Sequence, residues 1–571
     1  MYKNNMNNKN ENRIHSTGSV STICQNCKKD FTIEVEDFNF YEKMKVPSPK
    51  ICPQCRQQLR TLFRNFKTLY KRPSSKSGKM IVSMYNPEAK FPVYDIDEWW
   101  SDDWDAMDYG KKINFGTPFF NQLLELFNSV PHPAIMNTKS VNCDYSNMAL
   151  SSKNCYLIFG CVDDEECDYG HIVWESRESV DNLYIFNCES CYECIDCLGS
   201  TKLFYSQECE SCVDSVGLFD CRNCLNCIGC VGQINKSYWI FNKPVTKEEY
   251  KKFLIKHPLN EKSSVEFILK EMEDLRRVVP QRFFFGSHNN KVSGNHIYNS
   301  HNIFNSFDIK GGEDSKYCFT IQKAVDCYDA SFCGGISGVE ESCEVLTSLG
   351  NKIFSSQIVI DSHDVFYSNL CYSSHDLFGC SGLIKKSYCI LNKQYTKEEY
   401  GILKEKIIEH MKANSEWGSF FPSWMSPFAY NESIVSEYMP LTKEQALAQG
   451  FRWKDDIPST KGQGSIKYSE LPKNPDEYND ELMQEVLTCE ACEKNYKLIN
   501  REINFYKKNR LTLPLKCFNC RHESRMNKRN PRDLWDGKCV KCGDKILTSY
   551  KPEDQKKYTI YCEKCYQQEV Y

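Results

Sequence analysis

The stretch Leu183-Tyr-Ile-Phe-Asn-Cys-Glu-Ser-Cys-Tyr-Glu-Cys-Ile-Asp-Cys197 sets a short aromatic and β-branched piece against a run of cysteines and turn-forming residues. The same rhythm returns every ten to thirteen residues, at Tyr156-Leu-Ile-Phe159, Leu203-Phe-Tyr205 and Tyr238-Trp-Ile-Phe241, and again at Ile303-Phe304, Tyr317-Cys-Phe319, Ile353-Phe354, Val365-Phe-Tyr367 and Leu377-Phe378. Asn, Asp, Ser, Gly and Cys fill the intervals. Helices need longer uninterrupted pieces, so short strands joined by tight turns and stacked as a β-solenoid fit best. Cys167, Cys188, Cys209 and Cys230 are each 21 residues apart. A coil of that length would stack these thiols into one inward ladder.

The middle of the chain is duplicated. At a shift of 150, Lys236-Ser-Tyr-Trp-Ile-Phe-Asn-Lys243 matches Lys386-Ser-Tyr-Cys-Ile-Leu-Asn-Lys393, and Thr246-Lys-Glu-Glu-Tyr250 matches Thr396-Lys-Glu-Glu-Tyr400. The duplication bears on a rival reading, an iron–sulfur cluster. Cys188, Cys191, Cys194 and Cys197 form CxxCxxCxxC, as do Cys221, Cys224, Cys227 and Cys230, yet the last interval and the missing proline depart from the ferredoxin pattern. In the second copy Cys224 becomes Ser374, Cys227 becomes Leu377 and Cys209 becomes Val359. Such exchanges suit a packing position and not a metal shell.

Outward from the array the cysteines follow a different rule. Cys24-Gln-Asn-Cys27 is separated by 24 residues from Cys52-Pro-Gln-Cys55, and Cys489-Glu-Ala-Cys492 by the same interval from Cys517-Phe-Asn-Cys520. Cys539-Val-Lys-Cys542 and Cys562-Glu-Lys-Cys565 make a third set. Two facing CxxC knuckles complete a tetrahedral four-thiolate shell, so the expected cofactor is zinc, three ions per chain, in closed structural sites. The lone N-terminal set, with four cysteines of its own, favours sequential over cross-braced pairing.

A shift of 465 superimposes the first two sets well beyond the cysteines: Phe40-Tyr41 on Phe505-Tyr506, Arg60 on Arg525, Arg64-Asn65 on Arg529-Asn530. They are copies of one module. The chain turns basic after each: a spacing of about four places Arg56, Arg60 and Arg64 on one helical face, and Arg521, Arg525 and Arg529 follow the second copy. They are candidate nucleic-acid contacts, or else a solvated face, or partners of the acidic middle of the same protein.

The module resembles a family of small zinc-ribbon domains with a CxxC, F-x-F/I, FY, CPxCR pattern, here Cys24 to Cys27, Phe31-Thr-Ile33, Phe40-Tyr41 and Cys52-Pro-Gln-Cys55-Arg56. That resemblance covers about 35 residues per copy and implies a fold and a metal, not a reaction. The whole layout, ribbons at both ends of a Cys-rich middle, resembles a bacterial family common in reduced-genome candidate phyla, whose members often carry a CaiB/BaiF-type CoA-transferase label. No nucleotide-binding glycine loop or comparable CoA-binding signature supports that activity here.

At 571 residues with a formal charge of −4, the chain is too long for one core and too acidic to be a polyanion binder throughout. No apolar run approaches the roughly 20 residues of a membrane span. The polar, Asn-rich start lacks the apolar stretch of a secretory signal, which points to the cytoplasm and to reduced thiols among the 33 cysteines.

The expected organisation is mainly β: a disordered tail over 1–20, a zinc ribbon over 21–72, a connecting and capping segment over 73–138 and a first solenoid half over 139–245. A helical insert over 246–283, a second half over 284–395, a helical segment and linker over 396–485, and ribbons over 486–534 and 535–571 complete it. P-loop, dinucleotide, HExxH and GxSxG signatures are absent. His288, His296, His301, His363 and His375, with Asp308, Asp361, Asp364 and Asp376, can line a cleft as in carbohydrate-active β-helices, or simply occupy turns. The reading that follows is a zinc-binding, non-enzymatic scaffold whose ribbons meet nucleic acid or a protein partner. The alternative is a solenoid enzyme or an iron–sulfur redox protein.

Overall fold

The computed structural model describes residues 13–14, 18–334 and 338–570. The tail expected over 1–20 lies for the most part outside the described residues. The chain is mainly β, and its centre is built on parallel pairing at a fixed offset. His171 lies opposite Leu183, and Leu183 opposite Ile195. Thr201, Val213, Leu225 and Ser237 continue the same step. Single bridges such as Glu189 to Thr201 and Tyr192 to Phe204 carry it between the strands. The second half forms a thirteen-stranded sheet on the same principle, with His301 opposite Glu313 and His363 opposite His375. One rung there is longer, since Val325 pairs with Glu340, and the next shorter, since Val339 pairs with Gly350.

The repeat is therefore twelve residues, not 21. Its cause is a left-handed corner at every third residue: Asp181 (φ 57°), Tyr184 (55°), Asn187 (53°) and Ser190 (54°) turn one rung, and Glu193 begins the next. Asn, Asp and Gly accept this conformation readily, whereas Tyr184, Ile172 and Leu157 adopt it at a cost of about 1 kcal/mol or more each. The ladder holds them there. Each corner amide donates to the previous rung, as Asp181 does to the Asp168 carbonyl (3.0 Å) and Asn187 to that of Trp174 (3.0 Å).

Between corners, one residue per side points inward, and CxxC is the spacing from one side to the next. Cys188, Cys191, Cys194 and Cys197 thus stand on four different sides. The 21-residue step likewise spreads Cys167, Cys188, Cys209 and Cys230 over four columns, so no single ladder of those thiols exists. Columns run at the twelve-residue step instead: Cys188, Ser200, Cys212, Cys224 in one, and Cys197, Cys209, Cys221 in another, all buried. The narrow interior is filled mostly by Cys and Ser, with Ile158, Ile185, Leu203 and Leu218 among them. The Cys188 sulfur lies 3.4 Å from the Phe186 carbonyl and 3.6 Å from that of Cys197 in the next rung. Ser206 occupies an equivalent place, its hydroxyl donating to Phe204 O (2.9 Å) and accepting from Leu218 N (2.9 Å). Cysteine and serine are interchangeable because both fill the width and both meet the same inward carbonyls.

Each half closes in the same way. Ser237–Ile240 and Ser387–Ile390 turn back antiparallel on Lys243–Pro244 and Lys393–Gln394. Helices then start at Thr246 and Thr396, whose hydroxyls accept from Glu249 N and Glu399 N, while those glutamates accept from the threonine amides. The repeated TKEEY sequence is this capping box. The tryptophans of the 73–138 segment lie against the last rungs of the second half: buried Trp99 donates its indole N–H to Pro131 O (2.9 Å) and sits 5.7 Å from the Tyr372 ring.

Cys209→Ser should cost about 1 kcal/mol, and Cys209→Phe about 3 kcal/mol or more through overpacking, in urea unfolding of the two variants. Equal costs would mean that the column is not limited by width.

Candidate metal centres

Each of the three terminal sets brings four sulfurs within 4.8 Å of one another, in sequential pairing: Cys24, Cys27, Cys52, Cys55; Cys489, Cys492, Cys517, Cys520; Cys539, Cys542, Cys562, Cys565. An ion at the centre of four thiolates, each about 2.3 Å away, requires sulfurs about 3.8 Å apart. Cys27 to Cys52 is 3.7 Å, Cys492 to Cys517 3.6 Å and Cys542 to Cys562 3.7 Å. The donor sets fit a tetrahedral ion.

One turn builds all three. The fifth residue of the knuckle is left-handed, Lys28 (φ 62°), Glu493 (60°) and Gly543 (79°), and its amide returns to the carbonyl of the first cysteine at 2.9–3.0 Å. A backbone carbonyl braces each from outside, with Gln25, Glu490 and Val540 donating to Lys50, Leu515 and Ile560. In the two copied ribbons the second knuckle opens a helix, Pro53–Thr61 or Phe518–Met526, with Cys52 or Cys517 as its N-cap. Burial pushes the Cys517 thiol up to about 11, against the backbone amide of Cys520. Cys539 is drawn down to about 6: burial alone would raise it, and the amides of Cys542 and Cys562 outweigh that.

The central CxxC runs do not do this. Among the described residues, no group of three or more array cysteines gathers within the same 4.8 Å.

Of the three readings of the arginines after the ribbons, the structure has the last, pairing with acids from the middle of the chain. Arg60 and Arg525 are 0% exposed, Arg56, Arg64 and Arg521 are buried, and the Arg529 side chain is 5% exposed, so none of the six forms a phosphate-facing ridge. Arg56 and Arg60 instead grip Asp329 and Glu344, with Arg60 Nη1 3.1 Å from one and 2.6 Å from the other. Arg525 grips Asp181 (3.0 Å) and Glu193 (2.7 Å), and Arg521 also meets Asp181 (2.9 Å). In both cases the two acids are corner residues of adjacent rungs, and one guanidinium spans the rung spacing. The partnership is crossed. The first ribbon clamps the second half of the array, and its copy clamps the first half.

Arg64 differs from its counterpart. It lies between the rings of Phe66 (4.4 Å) and Phe332 (4.6 Å) and donates to Thr347, and burial lowers it to about 9. Arg529 joins Asp196 (2.7 Å) to Asp308 (2.5 Å) across the two halves. The third ribbon sits beside them, pairing Ile560 with Gln281 and placing Tyr566 2.7 Å from Asp220.

Two polar knots escaped the sequence reading. His522 Nε2, in the second ribbon's helix, is 2.9 Å from Glu437 and 3.0 Å from His171 Nδ1, and Lys67 holds the other Glu437 oxygen at 3.1 Å. Four distant segments meet there, and no local pattern marks them. The second knot sets His296 between Glu208 (2.8 Å) and Asp308 (3.5 Å), with Asp196 at 3.7 Å. Both knots gather three metal-binding side chains. In the second, Arg529 already lies between the carboxylates; in the first, Lys67 already neutralises Glu437.

The expected histidine cleft divides. His288, His296 and Asp308 line a cavity of about 250 Å³ between the halves, walled by Trp174, Phe186 and Tyr298. His363 and His375 stack 5.0 Å apart elsewhere, each bonded to the aspartate that follows it. No family model matches the chain, and no curated protein is similar enough to stand as a relative, so the zinc-ribbon resemblance rests on the cysteine framework itself.

Arg60→Ala should destabilise the protein by about 3–5 kcal/mol, because it strands two buried carboxylates. Adding Asp329→Asn and Glu344→Gln should recover part of that loss in denaturant unfolding. A second expectation concerns pH. The carboxylates of Asp196 and Glu208 overcome burial and Arg529 to raise His296 to about 9. A raised folded value means that this contribution, on the order of 3 kcal/mol, is complete below the unfolded value of about 6.5 and is lost as pH rises through 9. Melting temperature should fall across that window, and His296→Gln should flatten the fall.

Proposed function

We propose that this chain is a zinc-binding, non-enzymatic scaffold: a duplicated β-solenoid of twelve-residue coils, clamped by two copies of one zinc ribbon, with a third ribbon at the junction. The observation that carries the reading is the equivalence of Arg60 and Arg525. Each bridges stacked corner acids on the half opposite to its own end of the chain. In this reading the metal works through the clamp. It shapes the small ribbon that holds the arginines, and ribbons of this size draw on the order of 10 kcal/mol of folding free energy from the ion.

With the basic face committed internally, the surface left for a partner is the outer face of the coils, and a protein partner suits it better than nucleic acid does. Reduced thiols throughout the coils suit a reducing compartment such as the cytoplasm. Closed four-thiolate shells also leave no open position for chemistry.

A second reading is favoured by the cavity between the halves. Aromatic walls above a buried cluster of Asp196, His296 and Asp308 make a place for a small amphipathic molecule. It would make the scaffold a ligand-binding one without changing the role of the ribbons.

Elemental analysis of the purified chain should give about three zinc per molecule and no iron. A brown protein with iron and labile sulfide would overturn the proposal in favour of a redox protein. Chelation should expose Arg60 and Arg525 together with their acids, seen as cooperative loss of hydrogen-exchange protection over 181–196 and 329–344. Loss confined to the ribbons would separate metal binding from the clamp. Binding to random-sequence RNA or DNA at low salt should be absent in the zinc-loaded chain.

A further inference from the structure

The sequence 139–395 contains 21 cysteines, and those of the array are buried with one exception. Cys143 is only partly exposed, at the open end of a column. It belongs to the strand Val141–Asp144, whose neighbours in the same end rung, Val141 (57%), Tyr145 (40%) and Leu150 (39%), are also uncovered. Below it in the same column come Cys155 and then Cys167, both buried. Cys143 and Cys155 are direct register partners in parallel strands.

We propose that Cys143 and Cys155 are a reversible redox pair, oxidised by hydroperoxides and reduced by thiols. Adjacent strands lie about 4.8 Å apart, so the two α-carbons fall inside the range that a disulfide spans. Other cysteine pairs repeat at the same step, such as Cys197 with Cys209 and Cys212 with Cys224, but their buried sulfurs are closed to a peroxide. Access is what distinguishes this pair.

The local chemistry assigns the roles. The Cys155 thiol beside it is the main influence drawing Cys143 down to about 7, with backbone amide help and a smaller contribution from Arg501, and burial opposes them. Arg501 is fixed by a two-point pairing with Asp168, one arm at 2.8 Å. Cys143 is thus the nucleophile and Cys155 the resolving thiol. The Cys143 thiolate attacks the peroxide oxygen, the O–O bond breaks, and hydroxide (or alkoxide) leaves with the electron pair and takes up a proton. This yields Cys143 sulfenic acid. The Cys155 sulfur then attacks the Cys143 sulfur, the S–O bond breaks, and water leaves with the thiol proton. Two thiols are oxidised, one peroxide is reduced, and a small thiol reverses the bond by exchange. The cross-link ties the first two rungs together at the uncovered end of the stack.

The test uses the full zinc-loaded chain, treated with hydrogen peroxide at a few equivalents, alkylated and mapped by peptide mass spectrometry. The expected result is a Cys143–Cys155 disulfide ahead of every other oxidised cysteine, removed by dithiothreitol. In Cys155→Ser, Cys143 should stop at the sulfenic acid and be captured by dimedone. The buried pair Cys197–Cys209 serves as the internal control for access. A map in which Cys143 and Cys155 stay reduced while other cysteines are oxidised overturns the proposal. So does a Cys155→Ser chain that is folded by circular dichroism yet forms no dimedone adduct at Cys143.

Discussion

A rung of twelve residues with a left-handed corner at every third one leaves room for a single small or aliphatic side chain on each of its sides. Much of the rest follows from that width. It fills the interior with Cys, Ser, Val, Ile and Leu, and it turns the corner side chains outward, where Asp and Glu collect. Stacked corners then make stacked acids, such as Asp181 above Glu193 and Asp329 above Glu344, which no protein can leave buried without cations. The arginines of the ribbons answer that charge. The four-cysteine sets meet the array through the helices on which those arginines stand, which Cys52 and Cys517 cap.

Cysteine thus serves two unrelated ends in one chain. In the ribbons, four sulfurs converge because two knuckles face each other. In the rungs, the same CxxC spacing places successive sulfurs on successive sides of a closed course, and they do not converge. Spacing alone does not separate these cases. The exchange of Cys224 for Ser374 and of Cys209 for Val359 between the two halves does, since a position that tolerates serine or valine is filled for size and for contact with inward carbonyls.

This also marks how much could be read before any coordinates. The ribbons, the duplication and the packing role of the central thiols were legible, because each leaves a pattern between residues close in sequence or between copies. The period was misjudged. The 21-residue recurrence of Cys167, Cys188, Cys209 and Cys230 is one full rung plus three sides, which imitates a longer coil, while the true marker is a backbone angle shared by Asn187 and, against their own preference, by Tyr184 and Ile172. The arginines were found as a face, with pairing to the acidic middle left as one of three readings, because all their acids but Glu502 lie more than 200 residues away in the chain. Asp329 and Asp181 resemble ordinary turn residues until the rungs are stacked. The knot of Lys67, His171, Glu437 and His522 was invisible for the same reason, being made by four segments with no common motif.

The crossed attachment has a consequence for how the chain is made. Domains generally form in the order in which they leave the ribosome, and the first ribbon meets its acids only after residues 329–344 have emerged. The first half waits longer. Asp181 and Glu193 have no arginine until Arg521 and Arg525 are synthesised, more than 300 residues later. The stack can wind as it is made, but its charges close only when the second ribbon arrives. A product cut short before that ribbon would carry an open seam of carboxylates by which it can be told from one that has it.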